Sequence, residues 1–141
     1  VSVNMLTYQG LKNGKVTVFG GEQTRPNIHI QDLTNIYRHF LKRPELESGC
    51  YNAGFENLKI LEIAERVKDA TGAEIIVTES NDPRSYRQDS TKLLKTGFKP
   101  RFSVQNAIEE ISEAYRKGDL QDGENCYTVK WMKNLQLGSK N

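Results

Sequence analysis

Apolar residues recur along this chain at two spacings, three-to-four and two, and the switches between them divide it into short helices and short strands. Val3, Leu6 and Leu11 lie at helical spacing and Asn13-Gly14 supplies a stop, so residues 2–12 are expected to form a helix. Val16–Phe19 is mostly β-branched and apolar, which predicts a strand ending at the turn Gly20-Gly21. Ile28–Ile30 reads as a second short strand. Asp32 then suits the cap of a helix, its carboxylate accepting backbone N–H groups, with Leu33, Ile36, Tyr37, Phe40 and Leu41 on the buried face and Pro44 closing it.

Cys50-Tyr51-Asn52-Ala53 predicts a strand ending at Gly54. Ile60, Leu61, Ile63, Ala64, Val67 and Ala70 keep the helical pattern up to Gly72, and Glu74–Thr78 is a strand of mostly β-branched residues. Asn81-Asp82-Pro83 marks a loop. Asp89 or Ser90 is placed to cap a short helix, Thr91–Lys95, which Gly97 ends. Ser103 caps a last clear helix, in which Ala107, Ile108, Ile111, Ala114 and Tyr115 form one stripe before Gly118. Tyr127, Trp131, Met132 and Leu135 suggest a C-terminal helix docking its aromatics, and the final Gly-Ser-Lys-Asn is expected to fray. Helices alternating with short strands predict a small α/β domain.

Composition narrows the function classes. A chain of 141 residues is one domain's worth, and such a domain buries roughly 68–70% of its unfolded surface. With 36% hydrophobic residues and a mean hydropathy of −0.67, a modest core under charged outer faces is expected. The net charge of +2 gives no electrostatic case for nucleic acid or membrane as a partner. No apolar run approaches the about 18 residues of a membrane span, the opening residues do not read as a signal peptide, and a cytoplasmic location is expected. Cys50 and Cys126 are far apart and read as reduced thiols. With only His29 and His39 besides, at no ligand-type spacing, a metal site is not expected. The chain opens with Val-Ser-Val, and Met5 falls inside a predicted helix, so a longer parent protein is expected.

Several residues could carry chemistry. Arg25, Arg84 and Arg87 offer always-charged forks of donors, which suit a diphosphate better than lysine does. Taken alone they are ordinary surface arginines, and nothing in the order of residues pairs Arg84 with Arg25. Phe19 could stack on a ring or fill the core beside Ile28. His29 and Asp32 suggest acid–base work, but their spacing across a strand-to-helix junction favours structural roles. Tyr8 and Lys12 stand four apart on the first helix, a chance match to a Tyr-x-x-x-Lys pair. Lys92, Lys95, Lys99 and Arg101 read as a solvated basic face.

The order of these pieces resembles the C-terminal substrate domain of sugar-nucleotide epimerases and dehydratases of the extended short-chain dehydrogenase/reductase family. The likeness runs over roughly residues 1–118: the Phe19-Gly20 turn, Arg25, the run His29-Ile30-Gln31-Asp32, Tyr51-Asn52-Ala53-Gly54, the Arg84 loop, and Gly97-Phe98-Lys99-Pro100. Pro26 and Asn27 stand where acidic and aromatic residues are common, and Lys59 stands where Ser or Thr would cap a helix better. No Gly-x-x-Gly-x-x-Gly follows a strand.

The resemblance implies a domain at 1–118 that binds a nucleotide-diphosphate sugar, with 119–141 as a partly helical or frayed extension. Arg25 and Arg84 would hold the pyrophosphate, with Arg87 as a further candidate. The Thr17 position would present backbone groups to the base and Phe19 would pack on it. NAD would be bound by an absent N-terminal domain, where hydride transfer at sugar C4 takes place and through which the parent would form a homodimer; this segment alone would be inactive. The alternative is a stand-alone, non-catalytic module that binds nucleotide-sugars or a protein.

Overall fold

A computed structural model describes residues 2–80, 82, 84–120, 122–126 and 128–135. Helix α1 (Ser2–Asn13) leads through Gly14 into strand β1 (Lys15–Phe19), and β2 (Thr24–Asn27) follows the Gly20-Gly21 turn. Then come α2 (Ile30–Leu41), β3 (Glu56–Lys59), α3 (Ile60–Thr71), β4 (Glu74–Thr78), α4 (Thr91–Leu94) and α5 (Val104–Lys117). A 3₁₀ turn, Glu124–Cys126, precedes α6 (Thr128–Asn134). The predicted small α/β domain is what forms.

Two small sheets organise it. β1 pairs in parallel with β4, Lys15 opposite Glu74 through Phe19 opposite Thr78, while β2 pairs antiparallel with β3, Thr24 opposite Lys59 through Asn27 opposite Glu56. Val3 and Leu6 of α1, Val16 and Val18 of β1, Ile63, Ala64 and Val67 of α3, and Val104 and Ile108 of α5 meet in the main core. Gly10 lies where α1 approaches α3: a β-carbon there would sit 3.0 Å from Thr71 Oγ1 and 3.1 Å from Val67. The glycine that costs α1 helix propensity thus lets the two helices close up. A second cluster joins Ile36, Leu93 and Phe98, with Phe40, Tyr51 and Phe55 packed on it.

Four expectations need correction. The second strand lies at Thr24–Asn27 rather than Ile28–Ile30, because pairing with β3 captures the residues next to the turn. The strand expected at residues 50–53 forms instead at Glu56–Lys59. Its polar residues are strand because β2 supplies their partners, and no apolar alternation announces them. His29, not Asp32, caps α2, its Nδ1 accepting from Gln31 N at 3.2 Å. Tyr37 and Leu41 are 66% and 83% exposed, so the buried face of α2 is narrower than its apolar stripe.

The remaining helices follow their end signals. Ser103 caps α5 and exchanges hydrogen bonds with Asn106, and Gly72 and Gly118 close α3 and α5 in the left-handed region. Lys59 has no side-chain acceptor with which to cap α3; Glu62 instead accepts from its amide at 2.6 Å. At α4, Asp89 Oδ1 accepts from Thr91 N, while Ser90 Oγ ties to the Gly54 backbone. α6 forms but buries none of its residues, and Trp131, Met132 and Leu135 are exposed. A seven-residue helix offers too little apolar face to dock firmly. Tyr127 and the last four residues lie outside the described residues.

Candidate functional site

A groove of about 260 Å³ opens between the start of α1, the end of β1 and the loop after β4, lined by Met5, Gln9, Thr17, Phe19, Arg25 and Asp82 among others. Three of the five expected site residues line it. Phe19 is 62% exposed, which removes the reading of it as core. It sits at the end of β1, where alternation sends Val16 and Val18 inward and leaves the residue after them outside. Thr17 is half-buried on the same side of the strand.

Arg25, which lines this groove, and Arg84, 59 residues on and just outside its lining, meet beside it. Arg25 is carried by β2 and donates through Nη1 to the carbonyls of Thr24, at 3.0 Å, and Arg84, at 2.6 Å. Its guanidinium lies 5.2 Å from the Tyr86 ring centre, a cation–π arrangement. Both arginines reach Asp82. Arg84 donates to it from Nε at 2.6 Å and Nη2 at 2.9 Å, and Arg25 approaches from Nη2 at 3.4 Å. Hydrogen bonding from the Arg84 side chain, then from the Arg84 N–H, pulls the Asp82 carboxyl down to about 2, with the charges of Arg84 and Arg25 adding to the effect. The same contact raises the Arg84 guanidinium. Two cations therefore face one carboxylate, and the cluster keeps a net positive charge. Arg84 is 68% exposed in its side chain and does not line the groove itself.

The loop that carries Asp82 and Arg84 is fastened to β2. Thr24 N donates to Ser85 Oγ at 3.0 Å, and Tyr86 N donates to Thr24 O at 3.0 Å. Gln23 does the rest: its Nε2 donates to Phe19 O, Ser80 Oγ and Asp82 O, each at 3.2 Å, while its Oε1 accepts from Gly21 N at 2.8 Å. Sequence reasoning missed both Gln23 and Asp82. A Gly-Gly turn followed by a residue with donor and acceptor was a signal for Gln23; nothing linear pointed to Asp82 as the shared partner. Arg87 is exposed and makes no hydrogen bond or ion pair among the described residues.

The other candidates take structural roles. Asp32 is fully buried and accepts from Arg101 N and Phe102 N at 3.0 Å each. His29, its side chain 2% exposed, stacks on Phe102 and directs Nε2 to Glu110 at 3.3 Å, so it does not meet Asp32. Lys12 pairs with Asp122 at 2.8 Å, which raises its ammonium, and Tyr8 packs edge-on against Tyr115. Gly54 lets the chain pass under Gln88 and Pro26: a β-carbon would lie 2.3 Å from Gln88 Oε1 and 2.9 Å from Pro26 Cβ. Among the described residues no cluster of His, Cys, Asp or Glu could hold a metal ion, and no helix is long and apolar enough to cross a membrane.

The architecture is similar to the C-terminal portion of solved nucleotide-sugar epimerases and dehydratases. The UDP-N-acetylglucosamine 4-epimerase of Bacillus cereus superposes with a TM-score of 0.71 at 23% identity, covering 87% of this chain and 42% of that one. An NAD-dependent NDP-hexosamine 5,6-dehydratase of tunicamycin biosynthesis gives a TM-score of 0.69 at 19% identity, over 83% and 40%. In sequence, a putative GDP-L-fucose synthase from rice is 25% identical over 107 residues, 72% of this chain and 31% of its own. The chain thus spans about a third of that relative and about two fifths of the solved structures. No protein-family model matches it.

Proposed function

We propose that this chain is the nucleotide-sugar-binding part of an NAD-dependent epimerase or dehydratase, with residues 1–118 forming the binding domain and 119–141 an extension. The observation that carries the reading is the meeting of Arg25 and Arg84 on Asp82 beside a groove lined by Thr17 and Phe19. A guanidinium has five N–H donors, and Asp82 and the two carbonyls occupy only some of them. The remainder suit a pyrophosphate, with Asp82 holding both forks at one place until the ligand arrives. Arg87 is exposed on the same loop and would join if the loop closes on the ligand. Phe19 supplies a ring face for the base, and the backbone at Thr17 lies on the strand edge beside it. Fixing the nucleotide end in this way would orient the sugar for reaction.

The described residues do not fit a dinucleotide. Gly20-Gly21 follows β1 but leads into β2 and not into a helix, and the first amides of α3 that meet the turn, those of Ile60 and Leu61, already donate to Gln23 O and Gly21 O, so the strand-to-helix passage of a dinucleotide fingerprint is not present there. In this reading the hydride chemistry, and the pairing of two copies, belong to protein outside these residues, and the isolated chain turns over no substrate.

Titration calorimetry with UDP and GDP tests the proposal. Arg84→Ala should weaken binding of a nucleoside diphosphate about tenfold, the scale of one charge-assisted hydrogen-bonding partner. Equal affinity in the variant and the parent overturns it.

A further inference from the structure

A second cleft, of about 380 Å³, lies between the C-terminal half of α2 and the turn that follows α4. It is lined by Arg38, His39, Lys42 and Arg43 on one side and Lys99 and Arg101 on the other. No carboxylate lines it, and none of its five arginines and lysines forms an ion pair among the described residues. Elsewhere many cations have acidic partners, Lys12, Lys15, Arg25, Lys59, Arg66, Arg84, Lys117 and Lys130 among them, and Lys68, Arg87, Lys92, Lys95 and Arg116, without an ion pair among the described residues, do not line this cleft. With a net charge of +2 overall, five positive charges in one cleft leave the rest of the chain net negative. Whole-chain charge conceals this separation.

Parts of the cleft are held in place. Arg43 Nη1 donates to Thr96 O at 2.8 Å. Thr96 commits its hydroxyl proton to Leu93 O at 2.6 Å, so His39 Nε2 is the donor in its 2.9 Å contact with Thr96 Oγ1. Behind the cleft, the buried Asp32 carboxylate accepts the Arg101 and Phe102 amides and so fixes the backbone from which the Arg101 side chain projects. Like charges gathered without counter-charges repel one another, and a bound anion relieves that repulsion.

We propose that this cleft is an anion site, separate from the Arg25–Arg84 groove, that takes a small polyphosphate. The volume is at the small end of ligand pockets, and the mixture of arginine forks and lysine point charges suits several phosphoryl groups close together. Exposed aromatic platforms for stacking successive bases do not line the cleft, which favours a compact anion over a nucleic-acid strand.

The test is titration calorimetry of the 141-residue chain with inorganic tripolyphosphate at low ionic strength, alongside ATP and a single-stranded oligonucleotide. Saturable tripolyphosphate binding is expected, weakened about tenfold or more by Lys42→Glu and by Arg101→Glu and unchanged by Lys117→Glu, a charge reversal on α5 outside the cleft. ATP binding that Arg101→Glu weakens supports the site: an affinity no better than that of tripolyphosphate assigns recognition to the phosphates alone, and a tighter one to a nucleotide. Both altered cleft side chains are exposed and make no hydrogen bond among the described residues, so the thermal midpoints should match the parent. Should a charge reversal prevent folding, Lys42→Gln and Arg101→Gln read the same loss at smaller amplitude. Three results overturn the proposal: no saturable binding, loss with Arg25→Ala but not with Arg101→Glu, or oligonucleotide affinity that rises with length and displaces tripolyphosphate.

Discussion

Arg25 donates through Nη1 to the main-chain carbonyl of Arg84 at 2.6 Å, so one arginine of the groove fixes the backbone that carries the other. The two side chains then share Asp82. This makes the pair a unit, since removing Arg25 also loosens the segment that presents Arg84.

Non-additivity follows from that sharing. Arg25→Ala and Arg84→Ala should each weaken nucleoside-diphosphate binding, and the double variant should lose less than the sum of the two, because partners in one network couple. Calorimetric affinities of the four proteins measure this. Strict additivity would mean that the arginines act independently.

Asp82 should give the protein an acid-sensitive element. Its carboxyl sits at about 2 in the folded chain against an ordinary 3.8, chiefly through the hydrogen bonds from Arg84. The folded state therefore binds fewer protons than the unfolded state in this interval. The contribution is complete above about pH 4 and disappears as pH falls towards 2. Urea midpoints measured between pH 7 and pH 2 should fall more steeply for the parent than for Asp82→Asn over the acid interval. Parallel curves would contradict the linkage.

Asp32→Asn should destabilise by about 1–2 kcal/mol, because the charged acceptor of the Arg101 and Phe102 amides becomes a neutral amide whose oxygen can serve the Oδ2 contacts while its NH2 faces the Arg101 N–H at the Oδ1 position. The effect should appear as a lower urea midpoint. It should also weaken tripolyphosphate binding, since Arg101 loses its anchored backbone.

Gln9 offers the opposite case. Its Oε1 is buried and has no hydrogen-bond partner among the described residues, while its side chain lines the groove beside Thr17 and Phe19. Gln9→Met keeps the length and removes the orphaned acceptor, and should raise stability by about 1 kcal/mol. A shift in urea midpoint at constant slope would show it.

Much of the frame was legible in the chain. α1, β1, α3, β4 and α5 form where spacing, β-branched runs and the stops Gly14, Gly72 and Gly118 place them. These elements depend on local preferences and on burial patterns that one segment displays by itself. β2 and β3 were misplaced because Thr24-Arg25-Pro26-Asn27 and Glu56-Asn57-Leu58-Lys59 are strands only by virtue of each other. His29 displaced Asp32 as the cap because the Arg101 and Phe102 amides, about 70 residues on, claim the carboxylate.

The sequence by itself determined the α/β class and most element boundaries, and it displayed the arginines and the aromatic that the proposed function uses. Only tertiary structure decided that Arg25 and Arg84 share one carboxylate, that Phe19 faces outward, and that cations from α2 and the segment after α4 make a single basic cleft. The reason is physical: electrostatic partnership depends on distance in space, while periodicity and propensity act between neighbours along the chain.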